Sequence, residues 1–273
     1  MFPIRKEGSN ISLNSYLDDV ASKLIIKGDQ KESIKKSLDV FCERMKDYFR
    51  YHEAVNLKEI KVFGSYDRDT NIPQYVDYGT DVDIMLVMDD DGCTPQTYLD
   101  RVRRAVEAKY STSEIKQSSP TIVLQMLHIK FEITPAIIKY YTHYIKKSES
   151  EWMPTYCYAD LSYITEANKE NYFMIKPVLR LVKYWNVSKN YKSFSSYRIE
   201  QLIVSHYSIC QYQGYDTKQY LLTGLQQIKS LVTYDSQRER LEKAIAKVQE
   251  AIDDEPIYQT VPYEEIKEVI AEL

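Results

Sequence analysis

Cysteine is scarce and scattered in this chain of 273 residues. Cys42, Cys93, Cys157 and Cys210 form no C-x-x-C pair and have no histidine at zinc-ligand spacing, so zinc is excluded and reduced core thiols in a cytoplasmic protein are expected. The four histidines, His52, His128, His143 and His206, are isolated from one another and read as structural or surface residues. No apolar run approaches the ~20 residues needed to span a bilayer, and the opening MFPIRKEGSN has no apolar h-region. A chain that is neither secreted nor membrane-spanning is expected. Basic residues show no excess, with 36 Lys and Arg against 40 Asp and Glu and a net charge of -4. That argues against the global positive field that holds long nucleic acid, while a local cluster of Lys and Arg would still suffice for a small anion. There is no internal repeat, low-complexity tract or long flexible linker.

What is present is an ordinary globular composition, 44% hydrophobic and 28% charged, which excludes extensive disorder. Tyrosine is abundant at 25 residues, and most of these rings are expected to pack as amphipathic residues with a hydrogen-bonding tip rather than to stack on bases. Apolar side chains at helical spacing predict helices over 12–26 and 31–50, with Asn10 or Ser12 and Asp29 as caps. The period then shifts toward two, predicting strands over 57–63, 82–88, 122–127 and 129–134, with one helix at 97–109. From about residue 160 the pattern is helical, with elements at 171–185, 197–211, 216–231, 236–251 and 264–273. The last of these leaves no evident flexible tail for conjugation to a partner. The expected architecture is α+β: N-terminal helices (1–50) bracing both lobes, a core with a mixed sheet (51–155), and a helical C-terminal lobe (156–273), with a ligand cleft between the lobes. KKSESE, residues 146–151, is the expected exposed loop near the junction.

Two stretches carry the chemistry. KVFGSYDRDT, residues 61–70, ends an apolar run on Gly64-Ser65, and TDVDIMLV, residues 80–87, places Asp81 and Asp83 at the head of a strand. Residues i and i+2 of a strand share a face, so the two carboxylates converge while Val82 and Ile84 point to the core. Taken alone, D-x-D is a solvated strand end. A glycine at a strand exit, however, lets backbone N–H groups approach phosphate oxygens, and the following hydroxyl adds a donor. Oxygen-only ligands suit Mg²⁺ or Mn²⁺, and a two-metal site needs a third carboxylate. Glu132, in KFEITPA between Phe131 and Ile133, is the candidate, because a charge inside a strand buried on both faces requires a partner.

With these motifs the chain resembles the polymerase-β-like nucleotidyltransferases, and within them the cGAS/DncV-like nucleotidyltransferases (CD-NTases), bacterial relatives of animal cyclic GMP-AMP synthase and oligoadenylate synthase. LNSYLDDVASKL, IKPVLRLVKYWN and SFSSYRIEQ extend the resemblance over most of the chain, and the last two are the discriminating motifs. The resemblance implies that Lys183 and Ser196 contact a donor triphosphate and that Tyr197 stacks on a base. It implies that Asp81 and Asp83 hold two Mg²⁺ or Mn²⁺ ions, with Glu132 on one of them beside the acceptor hydroxyl. It further implies a cyclic di- or trinucleotide second messenger made from ATP, GTP, UTP or CTP. That product would activate a separate effector protein in bacterial antiphage (CBASS-type) defence. Two departures stand out: the family usually has Asp where this chain has Glu132, and the animal enzyme's zinc-binding insertion has no counterpart. A terminal nucleotidyltransferase acting on RNA, protein or a small molecule, and a catalytically inactive nucleotide-binding module, are the alternatives.

Overall fold

The structure, a computed structural model, describes residues 12–210, 214–258 and 263–273. The chain divides into two compact units: Ile26–Ser162, and the start of the chain to Ile25 together with Tyr163–Leu273. The two opening helices therefore belong to different units.

The first unit is a mixed sheet with two helices on one face. α2 (Gly28–His52) leads into β1 (Leu57–Phe63), a one-turn helix α3 (Gly64–Asp67), β2 (Asp81–Met88), α4 (Pro95–Lys109) and then β3 (Glu114–Ser118), β4 (Thr121–Gln125), β5 (Lys130–Lys139), β6 (Thr142–Lys146) and β7 (Trp152–Thr155). The strand order is β1-β2-β5-β4-β3, with β6 pairing β5 and β7. β2 and β5 run parallel, and the other pairs are antiparallel. β5 is long enough to share one edge between β4 at its start and β6 at its end. Val82, Ile84, Leu86 and Met88 of β2, with Phe131, Ile133 and Ile137 of β5, face a core completed by Ile34, Phe41 and Met45 of α2 and Tyr98, Leu99 and Val102 of α4. Phe41 meets Phe131 edge-on at 5.6 Å between ring centroids, the geometry aromatic quadrupoles favour. On the opposite face Met85, Val87 and Ala136 form a second, smaller cluster.

The other unit is helical. It contains α1 (Leu13–Lys23), α6 (Ile175–Ser188), α7 (Ser196–Ile209), α8 (Thr217–Gln227) continuing into a 3₁₀ turn, α9 (Asp235–Tyr258) and α10 (Tyr263–Val269), and the boundary between units falls within α5 (Cys157–Glu170). α6 is buried nearly all round, from Ile175 through Trp185, with α1, α7 and α8 packed against it. Its buried residues include Arg180, Lys183 and Asn186 among the apolar ones, and polar side chains buried in this way require partners.

Several expectations change. Ser12 caps α1 by accepting from the Ser15 N–H, whereas Asn10 lies outside the described residues. Asp29 sits in the first turn of α2, after Lys27 at the cap, where a carboxylate complements the helix dipole instead of capping it. The helix expected from residue 171 begins at Ile175, because Tyr172 and Phe173 adopt φ of 52° and 64° and break it from α5. KKSESE is the tip of the β6–β7 hairpin, with Lys146 buried in the ladder. Cys42, Cys93 and Cys210 are free and only half-buried, not core thiols, and the Cys157 side chain lies outside the described residues. Tyrosine divides more evenly than expected. Tyr16, Tyr98, Tyr207 and Tyr220 are buried, but Tyr75, Tyr78, Tyr140, Tyr141 and Tyr191 are among many that are exposed, several in loops and turns where the chain has no core to offer them.

Candidate active site

The β2–β5 register decides the site. Asp81 is the cross-strand partner of Lys130, and Asp83 of Glu132. Cross-strand partners share a face, as do residues two apart on one strand, so these four side chains form a two-by-two block on a single face. Deeper along the same face, Met85, Val87 and Ala136 are buried, leaving the charged block at the open end of the sheet. The expectation that Asp81 and Asp83 converge and that Glu132 completes the set concerns residues that the fold does place together.

Lys130 was not anticipated. Its Nζ lies 3.0 Å from Asp81 Oδ2 and 2.9 Å from Glu132 Oε1. The alternation that pairs Asp81 with Asp83 applies equally to Lys130 and Glu132, so KFE carried the signal. Burial alone would lower the Lys130 pKa, but hydrogen bonding to Glu132 and the charge of Asp81 raise it overall.

The carboxylates are less comfortable. Burial pushes Asp83 up to about 7, and the charges of Asp81 and Glu132 add to the rise; Arg68 and Lys130 oppose it. Asp81 is raised as well, chiefly by burial, with Lys130 pulling the other way and Glu132 adding to the rise. Like charges gathered in a half-buried site need a cation between them.

Gly64 adjoins this block. It has φ of 74°, and a Cβ built on it would fall 1.8 Å from Asp83 Oδ2. The glycine of the G-S motif is thus required where Asp83 comes against the backbone. Gly64 opens α3, and the Ser65 carbonyl accepts from the N–H groups of Thr70 at 2.9 Å and Asn71 at 3.2 Å, which folds the following loop back on the turn. Arg68 is buried beside it and acts electrostatically on Asp83.

The donor set fits a hard divalent cation: every candidate ligand is a carboxylate, and the ammonium of Lys130 already stands among them as a positive group. Among the described residues no group of three or more His, Cys, Asp or Glu is drawn together as a metal site.

Lys183, Ser196 and Tyr197 lie in the helical unit. Lys183 is buried in α6, with its ammonium hydrogen-bonded to Glu200 of α7, itself buried. Ser195 is the N-cap of α7; Ser196 is its first helical residue and Tyr197 is exposed. The loop before them is clamped by Asn186, whose side chain donates to the Phe194 carbonyl at 2.9 Å and accepts from its N–H at 3.2 Å.

Comparison with known proteins identifies the family and the fold. Residues 11–168 match the Second Messenger Oligonucleotide or Dinucleotide Synthetase (SMODS) domain, more than half of the chain. The chain belongs to the SMODS family. A curated relative of this SMODS protein, a probable cyclic nucleotide synthase of Bacillus cereus (strain VD146), is 26% identical over 190 residues. The match covers 55% of this chain and 56% of that one, so it spans little more than half of the relative's length. The fold is that of solved CD-NTases. CdnC of E. coli MS115-1, in its complex with HORMA-deltaN, superposes with a TM-score of 0.72 at 12% identity over 95% of this chain and 97% of its own. DncV, the cyclic AMP-GMP synthase of Vibrio cholerae, solved with the linear intermediate 5′-pppA(3′,5′)pG, gives 0.71 at 10% identity over 92% of each chain. CdnG of Bradyrhizobium diazoefficiens, in complex with GTP, gives 0.69 at 12% identity over 95% and 96%. Among the described residues no helix is long and apolar enough to cross a membrane.

Proposed function

We propose that this SMODS protein is a metal-dependent nucleotidyltransferase that joins nucleoside triphosphates into a cyclic di- or trinucleotide second messenger. The observation that carries the reading is the convergence of Asp81, Asp83 and Glu132 on one face beside Gly64-Ser65, in a chain of this family. Asp81 and Asp83 would hold two Mg²⁺ or Mn²⁺ ions and Glu132 one of them. The ions would supply Lewis-acid stabilisation of the charge that develops on the α-phosphate and the leaving pyrophosphate.

The rest falls to the chain itself. A ribose 2′- or 3′-hydroxyl attacks the donor α-phosphorus in line; the new O–P bond forms as the bond to the β-phosphate oxygen breaks, and pyrophosphate departs. Glu132 helps to activate that hydroxyl by accepting its proton, a reading supported by its register opposite Asp83 on the same face of the sheet. Gly64 and Ser65 receive the β- and γ-phosphates. Lys183 and Ser196 contribute to triphosphate binding and Tyr197 supports a base. A second transfer closes the ring, by analogy with DncV, whose structure holds a linear intermediate. The product would act on a separate effector protein in CBASS-type antiphage signalling within the cytoplasm.

Incubation of the protein with all four radiolabelled ribonucleoside triphosphates and Mg²⁺ or Mn²⁺, followed by phosphatase and mass spectrometry, tests this. The expected product is a phosphatase-resistant oligonucleotide lost in Asp81→Asn/Asp83→Asn. Extension of a primer or labelling of another acceptor would favour a terminal nucleotidyltransferase instead, and tight nucleotide binding without turnover an inactive binding module.

A further inference from the structure

We propose that Lys130 is a built-in counter-cation, whose ammonium neutralises the carboxylate cluster until a divalent ion displaces it, so that Lys130 sets how tightly the site takes metal. The proposal rests on the metal-site reading above.

The argument begins with register. Lys130 is opposite Asp81 and two residues before Glu132, so its ammonium is delivered to the face that carries every candidate ligand. It touches two of the three carboxylates, at 3.0 and 2.9 Å, in a setting where the side chains of Lys130, Asp81 and Glu132 are 21%, 26% and 27% exposed. A hydrated salt bridge on an open surface is weak because water screens it, whereas partial burial makes both the pairing and its loss more consequential.

Glutamate at the third position fits this arrangement. Residues i and i+2 on a strand are separated by roughly 6.6 Å along the chain. The extra methylene of Glu132, relative to an aspartate, gives its carboxylate the reach to turn back toward Lys130. Glu132 thus shares the lysine with Asp81, at 2.9 and 3.0 Å.

Lysine also suits a displaceable role. Its ammonium is a compact, strongly hydrated point charge on a flexible stem, able to release two carboxylates by rotation about its own bonds. An incoming divalent ion carries twice the charge and takes several oxygens at once, so it replaces the ammonium in the same oxygen environment. Once displaced, the amine is free to move toward water at the open end of the sheet. Metal loading is then an exchange of cations, and the strength of the lysine pairing subtracts from the apparent affinity for metal.

The test is calorimetric titration of EDTA-stripped full-length protein with Mn²⁺, applied to the unaltered protein, Lys130→Met, Lys130→Arg and Asp81→Asn/Asp83→Asn. Lys130→Met removes the competitor and is expected to bind Mn²⁺ on the order of tenfold more tightly. Lys130→Arg places a forked guanidinium against two carboxylates and is expected to bind more weakly than the unaltered protein. In EDTA, Lys130→Met should melt at a lower temperature than the unaltered protein, and Mn²⁺ should close the gap. Mn²⁺ binding that is lost in the double Asn variant but equal among all three residues at 130, or weakest in Lys130→Met, overturns the counter-cation role and leaves the metal site standing. Absence of any binding that depends on Asp81 and Asp83 overturns both.

Discussion

Gly64 and Asp83 compete for one volume: the position of a Cβ on Gly64 lies 1.8 Å from Asp83 Oδ2. Two independent constraints therefore fix this glycine, the left-handed φ of 74° and the carboxylate against it. Gly64→Ala would incur about 1–2 kcal/mol for the backbone conformation alone and would in addition force Asp83 aside. The expected outcome is a lowered melting temperature together with loss of product formation. A variant that keeps both its Mn²⁺ affinity and its turnover would show that Asp83 need not stand where it does.

Asp83 is itself a strained group, since burial and two neighbouring carboxylates oppose its charge. Asp83→Asn removes that repulsion and leaves a side chain of the same shape. In EDTA at neutral pH the variant is expected to be more stable than the unaltered protein by thermal or urea denaturation, while its activity disappears. Stability gained at the expense of function is the usual signature of a site organised for chemistry. Equal or lower stability would mean that Arg68 and Lys130 already balance the cluster.

Acid sensitivity should arise elsewhere, at the start of α4. Burial alone would raise the pKa of Asp91, but hydrogen bonds from the Tyr98 hydroxyl at 2.7 Å and the Cys93 N–H at 3.1 Å, with Arg101 at 2.7 Å, hold it well below the usual carboxylate range. A depressed carboxylate stabilises the fold above its unfolded pKa, and that contribution is lost as the pH falls through the folded value. The urea midpoint should therefore drop on acidification below about pH 4, and Asp91→Asn should flatten that limb while lowering neutral stability by no more than about 1 kcal/mol, because solvent screens this exposed carboxylate. An acid limb unchanged by the substitution would assign it to other carboxylates.

Legibility in the sequence follows how local the determinants are. β2 and the start of β5 were readable because alternation along one strand fixes which side chains share a face, and Asp81, Asp83 and Glu132 fall out of that rule. β3 was not, since Glu-Ile-Lys-Gln-Ser is an edge strand with most side chains in water and little apolar alternation to detect. β7 contains Pro154, which reads as a breaker yet is tolerated at a sheet edge. Lys130 was readable in principle by the same alternation, but a search for acidic ligands passes over a lysine. The pairing of Lys183 with Glu200 was not readable at all, because 17 residues and a change of helix separate the two.

That pair gives the last test, because Lys183 has both a resolved structural partner and a proposed phosphate role. Removing one member of a buried ion pair leaves an uncompensated charge, a loss of about 3–5 kcal/mol, whereas replacing both by apolar groups is often close to neutral. Glu200→Gln alone, or Lys183→Met alone, should therefore destabilise the protein markedly, and Lys183→Met/Glu200→Leu should recover most of the loss. The double variant then separates the two roles. If Lys183 acts only within the helical unit, the recovered fold restores nucleotide affinity with it. If it also meets the triphosphate, the double variant is expected to be as stable as the unaltered protein yet to need at least about tenfold more nucleotide for half-maximal turnover, the loss of a single charge-assisted contact. Thermal melts read the first quantity and KM for each triphosphate the second. Full recovery of both would remove Lys183 from the nucleotide-binding set.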